Sequence, residues 1–313
     1  MKAIVLLNRG AGSLKGAAGE ARQKAVEEAL KEADIEAEFR LVSGDELTDA
    51  ARQAAGEHVD VVIAGGGDGT ISAVASGLAG TKMPLGVLPL GTLNHFARDL
   101  KIPLDLSEAA AVIAARNLSP VDVGRVNDLI FINNSSLGVY PREVLTREEH
   151  QHRRGLSKWL AMSLAVLKTF RRFPMVRLKL ETRHESVPRK TPLLFVGNNH
   201  YDLELFRAGT RECLDRGELS LFLANTQSRW GMFKLTLRGL FGRLRQARDF
   251  ESLCLSEFSV ETRRKTLHVA LDGEVVKLHP PLHYRSWPGA LQVCLPMADT
   301  ENAVANRAAE VKN

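Results

Sequence analysis

The sequence predicts an α/β protein, with a parallel sheet in its amino-terminal part and antiparallel strands in its carboxy-terminal part. Two observations support this. Short apolar runs alternate with helical patterns up to about residue 124, which is typical of βαβ units. From about residue 125 onwards, stretches in which apolar and polar residues alternate become common. The 313 residues, 44% of them hydrophobic, are enough for two domains that each have a core.

The amino-terminal elements follow one another in strand–helix order. Strands are predicted over residues 3–7, 37–42, 60–64 and 85–88, and helices over residues 20–33, 45–56, 71–78 and 106–117. Gly-rich turns follow several of these strands, and ligands bind at the carboxyl ends of strands in open α/β sheets. These turns are therefore the first place to look for a binding site.

The carboxy-terminal elements are mostly strands. They are predicted over residues 176–182, 193–196, 219–223, 258–261 and 267–271, with helices over residues 156–173 and 230–247. Residues 301–313 form either a polar helix or a frayed tail. We expect one domain over residues 1–124, with residues 297–313 as a candidate completion, and a second over residues 125–296.

Composition restricts the partners and the compartment. The net charge of +5 favours anionic partners, but the 6% aromatic content and the lack of a recognisable motif argue against nucleic acid. No apolar run approaches the roughly 20 residues of a membrane span, and no signal peptide is evident. The three cysteines are far apart in the chain and have no metal-ligand spacing, which predicts free thiols in a reducing cytoplasm.

The sequence GGGDGT, residues 65–70, carries the clearest chemical signal. It follows a buried strand and opens a helix, so its backbone amides can converge on an anion while its glycines allow a close approach. A nucleotide phosphate fits this arrangement. Asp68 within the glycines is suited to handling a magnesium ion or a substrate proton. The alternative is a tight packing turn in which Asp68 caps the helix.

Together with a second motif, this loop resembles a known family. GGGDGT followed by PLGTLNHFARDL, residues 89–100, is similar to the diacylglycerol kinase catalytic domain family, which includes soluble bacterial diacylglycerol kinases, YegS-like lipid kinases and sphingosine kinases. Further motifs occur in the family's order: VDVGRV at 121–126, NNSSLGVY at 133–140, LDGE at 271–274 and PGALQVCLP at 288–296. Together these segments span most of the chain.

The resemblance implies a fold and an activity. The fold is an amino-terminal domain of the NAD-kinase and phosphofructokinase type with a carboxy-terminal antiparallel β-sandwich, and ATP is expected in the cleft between them. The activity is ATP- and Mg²⁺-dependent phosphorylation of the hydroxyl of a diacylglycerol-like lipid. The expected location is the cytoplasm, with peripheral contact to an anionic membrane surface.

The resemblance also implies roles for individual residues. The nucleotide-binding positions are Asn8, Gly12, Gly66, Gly67, Gly69, Thr70, Gly91, Thr92, Asn94 and Arg98. The catalytic positions are Asp68, Asp122 and Glu274, with Glu274 as proton acceptor. Asp215 is a candidate metal ligand, but Arg216 stands directly before Gly217 and could replace the ion with its own charge. Arg9 and Arg40 stand where the family usually has proline and threonine, so adenosine recognition is expected to differ in detail.

Two of the catalytic candidates have structural alternatives. Read alone, Asp272-Gly273 is a turn pair between strands at 267–271 and 275–278, which would leave Glu274 at a strand end. The surrounding motifs favour Glu274 as the base, a role that burial or a neighbouring acid would assist. Asp122 is either an active-site acid or a solvated cap at the domain boundary.

Membrane and subunit contacts are predicted from surface patterns. Residues 229–248 carry six basic residues, no acid and many apolar residues, which suits an anionic membrane surface or a helix packed on the β domain. Residues 147–154 form a second basic cluster. An exposed edge strand would allow a homodimer.

Two other functions stay open at this stage. One is a small-molecule kinase of the NAD-kinase type, since the same phosphate loop occurs there. The other is a non-catalytic nucleotide- or lipid-sensing module, against which the intact Asp68 and Glu274 argue.

Overall fold

A computed structural model describes residues 1–10, 16–138, 175–182, 186–200, 215–224, 231 and 250–297, without the side chains of 16–18. The chain divides into two compact units. Unit 1 comprises the described parts of residues 1–123, 210–215 and 287–313, and unit 2 those of residues 124–209 and 216–286.

Unit 1 is built on a parallel sheet with the strand order β2-β1-β3-β4. Its strands are β1 (Lys2–Asn8), β2 (Glu36–Val42), β3 (Val61–Gly66) and β4 (Leu85–Pro89). Its helices are α1 (Gly16–Glu32), α2 (Leu47–Ala54), α3 (Asp68–Leu78), α4 (His95–Asp99) and α5 (Leu106–Ala115). All residues of β3 and β4 are buried, as expected of central strands in a parallel sheet.

The predicted order of strands and helices in this part of the chain is confirmed, with two helices starting earlier than expected. α1 begins at Gly16 rather than residue 20, and α3 at Asp68 rather than residue 71. Glycines and an acid at these starts hide the apolar period. The short helix α4 was not predicted at all.

Two long strands belong partly to each unit. These are β5 (Leu118–Val126) and β16 (Leu282–Cys294). Within unit 1, the later part of β16 runs parallel to β4, with Val293 opposite Leu85. The N–H of Gly80 donates to the carbonyl of Ala290 at 2.7 Å, which fixes the end of α3 against this strand.

Unit 2 consists of antiparallel strands. They are β6 (Leu129–Phe131), β7 (Asn134–Gly138), β8 (Val176–Glu181), β9 (Ser186–Thr191), β10 (Leu193–Asn198), β11 (Leu219–Ala224), β12 (Phe250–Leu255), β13 (Glu257–Glu261), β14 (Leu267–Leu271) and β15 (Glu274–Leu278). One sheet has the order β12-β11-β10-β7-β14-β15. In the other group, β13 pairs with the first part of β16 and with β8, and β8 pairs with β9. The predicted antiparallel carboxy-terminal region is therefore confirmed.

Both groups of strands contribute to the core of unit 2. Tyr284 of β16 is buried there and stacks on Phe258, with 4.9 Å between ring centroids, while Phe131 meets it edge-on. Its hydroxyl lies 3.0 Å from Oγ of Ser135. Burial raises the pKa of Tyr284 well above its usual value, so this hydroxyl stays protonated and serves the packing.

Several predicted segments lie outside the described residues. They are the helix at 156–173, most of the helix at 230–247, the basic cluster at 147–154 and the tail at 301–313. Within the parts of the chain that are described, no helix is both long and apolar enough to cross a membrane.

Candidate active site

The turn between β3 and α3 has the geometry of an anion site. β3 ends at Gly66, and Gly67 is the N-cap of α3, with an extended backbone and no side chain to cap the helix. The amides of Asp68, Gly69 and Thr70 form the first turn of α3, where no intrahelical acceptor exists. These amides, together with the positive end of the helix dipole, can bind a phosphate.

A second loop lies against this turn, and glycines make the contact possible. A Cβ on Gly91 would lie 2.5 Å from the Cα of Gly67, and a Cβ on Gly66 would lie 2.5 Å from the side chain of Thr70. The N–H of Leu90 also donates to the carbonyl of Gly66 at 3.0 Å. The two loops that sequence motifs assigned to nucleotide binding are therefore in direct contact within unit 1.

Asn94 holds the second loop from the inside. It is buried and has a left-handed backbone, with φ of 51°. Its Oδ1 accepts the N–H of Gly91 at 3.0 Å, and its Nδ2 donates to the carbonyls of Gly91 and Pro89 at 3.0 and 3.4 Å. Its amide is thus used within the loop, whereas the neighbouring Thr92 is exposed.

Asp68 links the two loops. Its Oδ1 accepts the N–H of Phe96 at 3.3 Å, in the first turn of α4. Asn94, the N-cap of α4, makes no side-chain capping bond. The carboxylate of Asp68 caps α4 instead, although it is far from this helix in the sequence. The alternative in which Asp68 caps its own helix is wrong, because the N-cap of α3 is Gly67.

Two arginines hold the ends of the second loop. Nε of Arg98 donates to the carbonyl of Leu93 at 2.9 Å, and Nη1 of Arg22 donates to the carbonyl of Leu90 at 3.3 Å. Arg98 was among the predicted nucleotide-binding residues. Arg22, on α1, was not, because nothing in the sequence indicates which face of that helix approaches residue 90.

The loop after β1 is closed by Asn8. Its Oδ1 accepts the N–H of Gly10 at 2.8 Å, and Gly44 approaches its side chain closely. Gly12, also predicted to bind nucleotide, lies outside the described residues. Nη2 of Arg9 donates to the carbonyl of Leu41 at 2.9 Å.

The arginine at the position where the family usually has threonine contacts two acids. Arg40 on β2 contacts Glu57 at 2.7 Å and Glu38 at 2.6 Å. The hydrogen bonds that Arg40 donates to Glu57, and then to Glu38, raise the pKa of Arg40, and the bonds to Glu57 lower the pKa of that carboxyl. This guanidinium therefore stabilises the edge of the sheet through two carboxylates.

Asp122 is a buried acid where two family motifs meet. Its side chain on β5 is only 2% exposed, and its Oδ1 accepts the N–H of Gly289 at 2.8 Å. Gly289, with φ of 59°, belongs to the PGALQVCLP segment. The alternative of a solvated cap is therefore wrong, whereas its role in catalysis stays a prediction.

Glu274 is the first residue of β15 and follows a tight hairpin turn in unit 2. Asp272 and Gly273 join β14 and β15 with φ of 47° and 95°, as a type I′ turn requires, and Leu271 pairs with Glu274. The predicted turn is confirmed. Glu274 is exposed, so the burial that would assist a base is not provided here.

Asp272 anchors this hairpin to the strand beside it. Its Oδ1 accepts the N–H groups of Asn133 and Asn134 at 2.8 and 2.9 Å, and its Oδ2 that of Ile132 at 2.8 Å. The N–H of Asp272 in turn donates to the carbonyl of Asn134 at 2.9 Å. The sequence indicated the turn but not this contact, which joins residues about 140 positions apart.

The segment around Asp215 is held by a buried asparagine. Oδ1 of Asn199 accepts the N–H of Arg216 at 3.0 Å, and the N–H of Asn199 donates to the carbonyl of Glu218 at 2.9 Å. Asp215 itself is exposed. Within the described ranges, no group of three or more His, Cys, Asp or Glu residues could hold a metal ion.

Comparisons with known proteins agree with the motifs. Residues 2–126 match the model of the diacylglycerol kinase catalytic domain. The chain is 45% identical over 91 residues to a probable lipid kinase YegS-like from Klebsiella pneumoniae (strain 342), covering 28% of this chain and 31% of that protein. It is 47% identical over 94 residues to a diacylglycerol kinase from Bacillus subtilis (strain 168), covering 29% and 31%. The alignments thus span about a third of these relatives.

Solved structures extend the likeness to the whole fold. A crystal structure of a diacylglycerol kinase from Bacillus anthracis str. Sterne superposes with a TM-score of 0.67 at 22% identity, covering 95% of this chain and 97% of that one. Another chain from the same organism gives a TM-score of 0.69 at 23% identity, covering 95% and 98%. At such identities the likeness concerns the fold. Residues 2–126 are therefore similar to the diacylglycerol kinase catalytic domain, in agreement with the sequence motifs.

Proposed function

We propose that this chain is a lipid kinase that transfers the γ-phosphoryl group of ATP to the hydroxyl of a diacylglycerol-like lipid. One observation carries the proposal: the GGGDGT turn and the second glycine loop, Gly91 to Asn94, touch within a segment that matches the diacylglycerol kinase catalytic domain. The acceptor class follows from that family match and from the names of the relatives.

The two touching loops are suited to binding the ATP phosphates. Three amides of the first turn of α3 lack intrahelical acceptors, and the close approach of Gly67 and Gly91 keeps side chains out of the contact. Phosphoryl transfer depends mainly on positioning and on charge stabilisation. A rigid surface of backbone donors contributes to both.

Asp68 is the residue in this surface that would hold Mg²⁺, directly or through water. Its Oδ1 is fixed by the N–H of Phe96, and carboxylate oxygens are the ligands that Mg²⁺ prefers. When bound, the ion would offset the charge of the phosphates. Asp122, which is buried on β5, is a further candidate acid of the active site.

Glu274 is the proposed proton acceptor for the lipid hydroxyl. It stands on a hairpin whose turn is fixed by three backbone amides bonded to Asp272. A fixed backbone restricts where the carboxylate can reach, which is what a positioned base requires. The lipid itself would supply the desolvation that the exposed side chain lacks.

The proposed place of action is a membrane surface in the cytoplasm. The acceptor class is membrane-bound, and the net charge of +5 supports attraction to anionic lipid. The basic segment 229–248 remains the predicted contact, and it lies almost wholly outside the described residues.

The decisive experiment supplies the purified chain with Mg²⁺, γ-labelled ATP and a total lipid extract, and identifies the labelled product. A labelled phosphatidic acid or related phospholipid is expected. The Asp68→Asn variant is the matched control and should give no more than trace product. If no lipid is labelled while NAD or fructose 6-phosphate is, the chain is a small-molecule kinase. If no acceptor is labelled, it is not a kinase.

A further inference from the structure

We propose that Arg22, on α1, binds the β- and γ-phosphates of the nucleotide. The inference rests on the proposed function, since it concerns the same ATP site. The sequence motifs assign no role to this residue, and the structure places its guanidinium at the second loop.

The position of Arg22 follows from three successive contacts. Its Nη1 lies 3.3 Å from the carbonyl oxygen of Leu90. The N–H of the same Leu90 donates to the carbonyl of Gly66 at 3.0 Å, and the next residue, Gly91, touches Gly67. The guanidinium therefore lies one residue from the point where the two nucleotide loops meet.

The guanidinium has donors left for a ligand. An arginine carries five N–H groups in a planar fork, and among the described residues only one of them is engaged, by a long bond to the carbonyl of Leu90. The residue is exposed, and it forms no ion pair with a carboxylate of the described residues. A planar fork with free donors and uncompensated charge is suited to bidentate contact with a phosphate.

The charge of Arg22 complements that of Arg98 on the other side of the loop. The two guanidinium groups donate to the carbonyls of Leu90 and Leu93, and so bracket Gly91 and Thr92. ATP brings about four negative charges to this surface, and the backbone amides of α3 offer only partial positive charges. The two full positive charges of Arg22 and Arg98, at the edges of the loop, can offset more of the charge of ATP than these amides alone.

A purely structural role for Arg22 makes a different prediction. A tether to the carbonyl of Leu90 would support the loop equally for every adenine nucleotide. A phosphate contact would matter more as the phosphate chain lengthens. Lys24 on the same helix provides a matched control, since it is 76% exposed and lies 3.9 Å from Glu28, away from the loop contact.

The test measures the binding of ATP, ADP and AMP by calorimetry to the wild type and to the Arg22→Met, Arg22→Lys and Lys24→Met variants. We expect Arg22→Met to weaken ATP and ADP by about tenfold or more, the scale of one charge-assisted hydrogen bond, and AMP by less than about twofold. Arg22→Lys should recover part of the loss because it keeps the charge. Lys24→Met should bind all three like the wild type.

Each other outcome has a defined meaning. An equal loss for the three nucleotides in Arg22→Met would show a tether and overturn the inference, and so would unchanged binding of ATP. Thermal unfolding of each variant shows whether the fold is intact. If the wild type bound no adenine nucleotide, the proposed function itself would fail and the inference with it.

Discussion

Replacing Gly91 by alanine tests the contact between the two nucleotide loops. The added Cβ would lie 2.5 Å from the Cα of Gly67 and 2.6 Å from Oδ1 of Asn94. Ordinary van der Waals contacts begin near 3.4 Å, so the loops must separate by close to 1 Å. Neither neighbour is the far end of a flexible chain: one is backbone, and the other is held by the N–H of Gly91.

We expect Gly91→Ala to lower the rate of phosphoryl transfer rather than to unfold the protein. A displacement of about 1 Å in a positioning element costs on the order of 10²-fold in rate, so kcat/KM for lipid phosphorylation should fall by about that factor. ATP affinity should fall as well, because the phosphate surface is deformed. The control is Gly56→Ala, whose Cβ would meet the nearest atom, the carbonyl of Gln53, at 3.4 Å, an ordinary contact.

Steady-state kinetics with a mixed-micelle acceptor and calorimetry with ATP measure both effects. If Gly91→Ala bound ATP and turned over like the Gly56→Ala control, the contact between the loops would have no functional weight. A loss of the thermal unfolding transition would instead mean that the substitution unfolds unit 1. The Gly91→Ser variant should then be unfolded as well.

Three further predictions concern single side chains. Glu274→Gln should lower kcat by roughly 10²-fold or more and leave ATP affinity near that of the wild type, and steady-state kinetics that retained kcat would move the base to another acid. Asp272→Ala should lower the free energy of unfolding by roughly 2–3 kcal/mol, since three backbone amides lose a charged acceptor that is partly exposed to solvent; urea unfolding at wild-type stability would contradict this. Burial raises the pKa of the Cys294 thiol to about 11, so at pH 8 iodoacetamide should modify the exposed Cys254 faster than Cys294. Peptide mass spectrometry that found equal rates would refute that order.

The sequence predicts best the elements whose signals are local. β3 is a continuous apolar run that ends in glycines, so both the strand and the turn that follows it could be located from residues 61–70 alone. The Asp272-Gly273 turn was predictable for the same reason, because a two-residue hairpin with this pair is specified by its own backbone preferences.

Elements that depend on distant partners were missed. α4 has only five residues, too few for a periodic pattern, and its first turn is capped by Asp68 from another loop. β16 carries Pro288 and Gly289 in its middle, which breaks the alternating pattern of a long strand. Tertiary contacts stabilise both elements, and no window of sequence contains those contacts.

In the candidate site too, the sequence predicted which residues are present better than it predicted what their side chains contact. Asn94 was predicted to bind the nucleotide, and this stays a prediction, but the three hydrogen bonds that its side chain makes to described residues lie within its own loop. Arg22 was not considered, although it contacts that loop. Motifs identify which residues recur in a site, whereas the direction of each side chain depends on which backbone groups the fold leaves within reach.

Of four acids in the family motifs, three accept hydrogen bonds from backbone N–H groups and one has an exposed side chain. Asp68, Asp122 and Asp272 each accept at least one backbone N–H, so each carboxylate is fixed in position and part of its accepting capacity is used. The side chain of Glu274 is exposed, and its carboxylate accepts no hydrogen bond from the described residues, while its backbone pairs with Leu271. A group that takes a proton from a lipid hydroxyl must reach the substrate with a free oxygen, while a group that organises a metal ion or a loop must stay in place. The exposure of Glu274 and the fixed carboxylate of Asp68 therefore support the roles proposed for them, proton acceptor and organising acid.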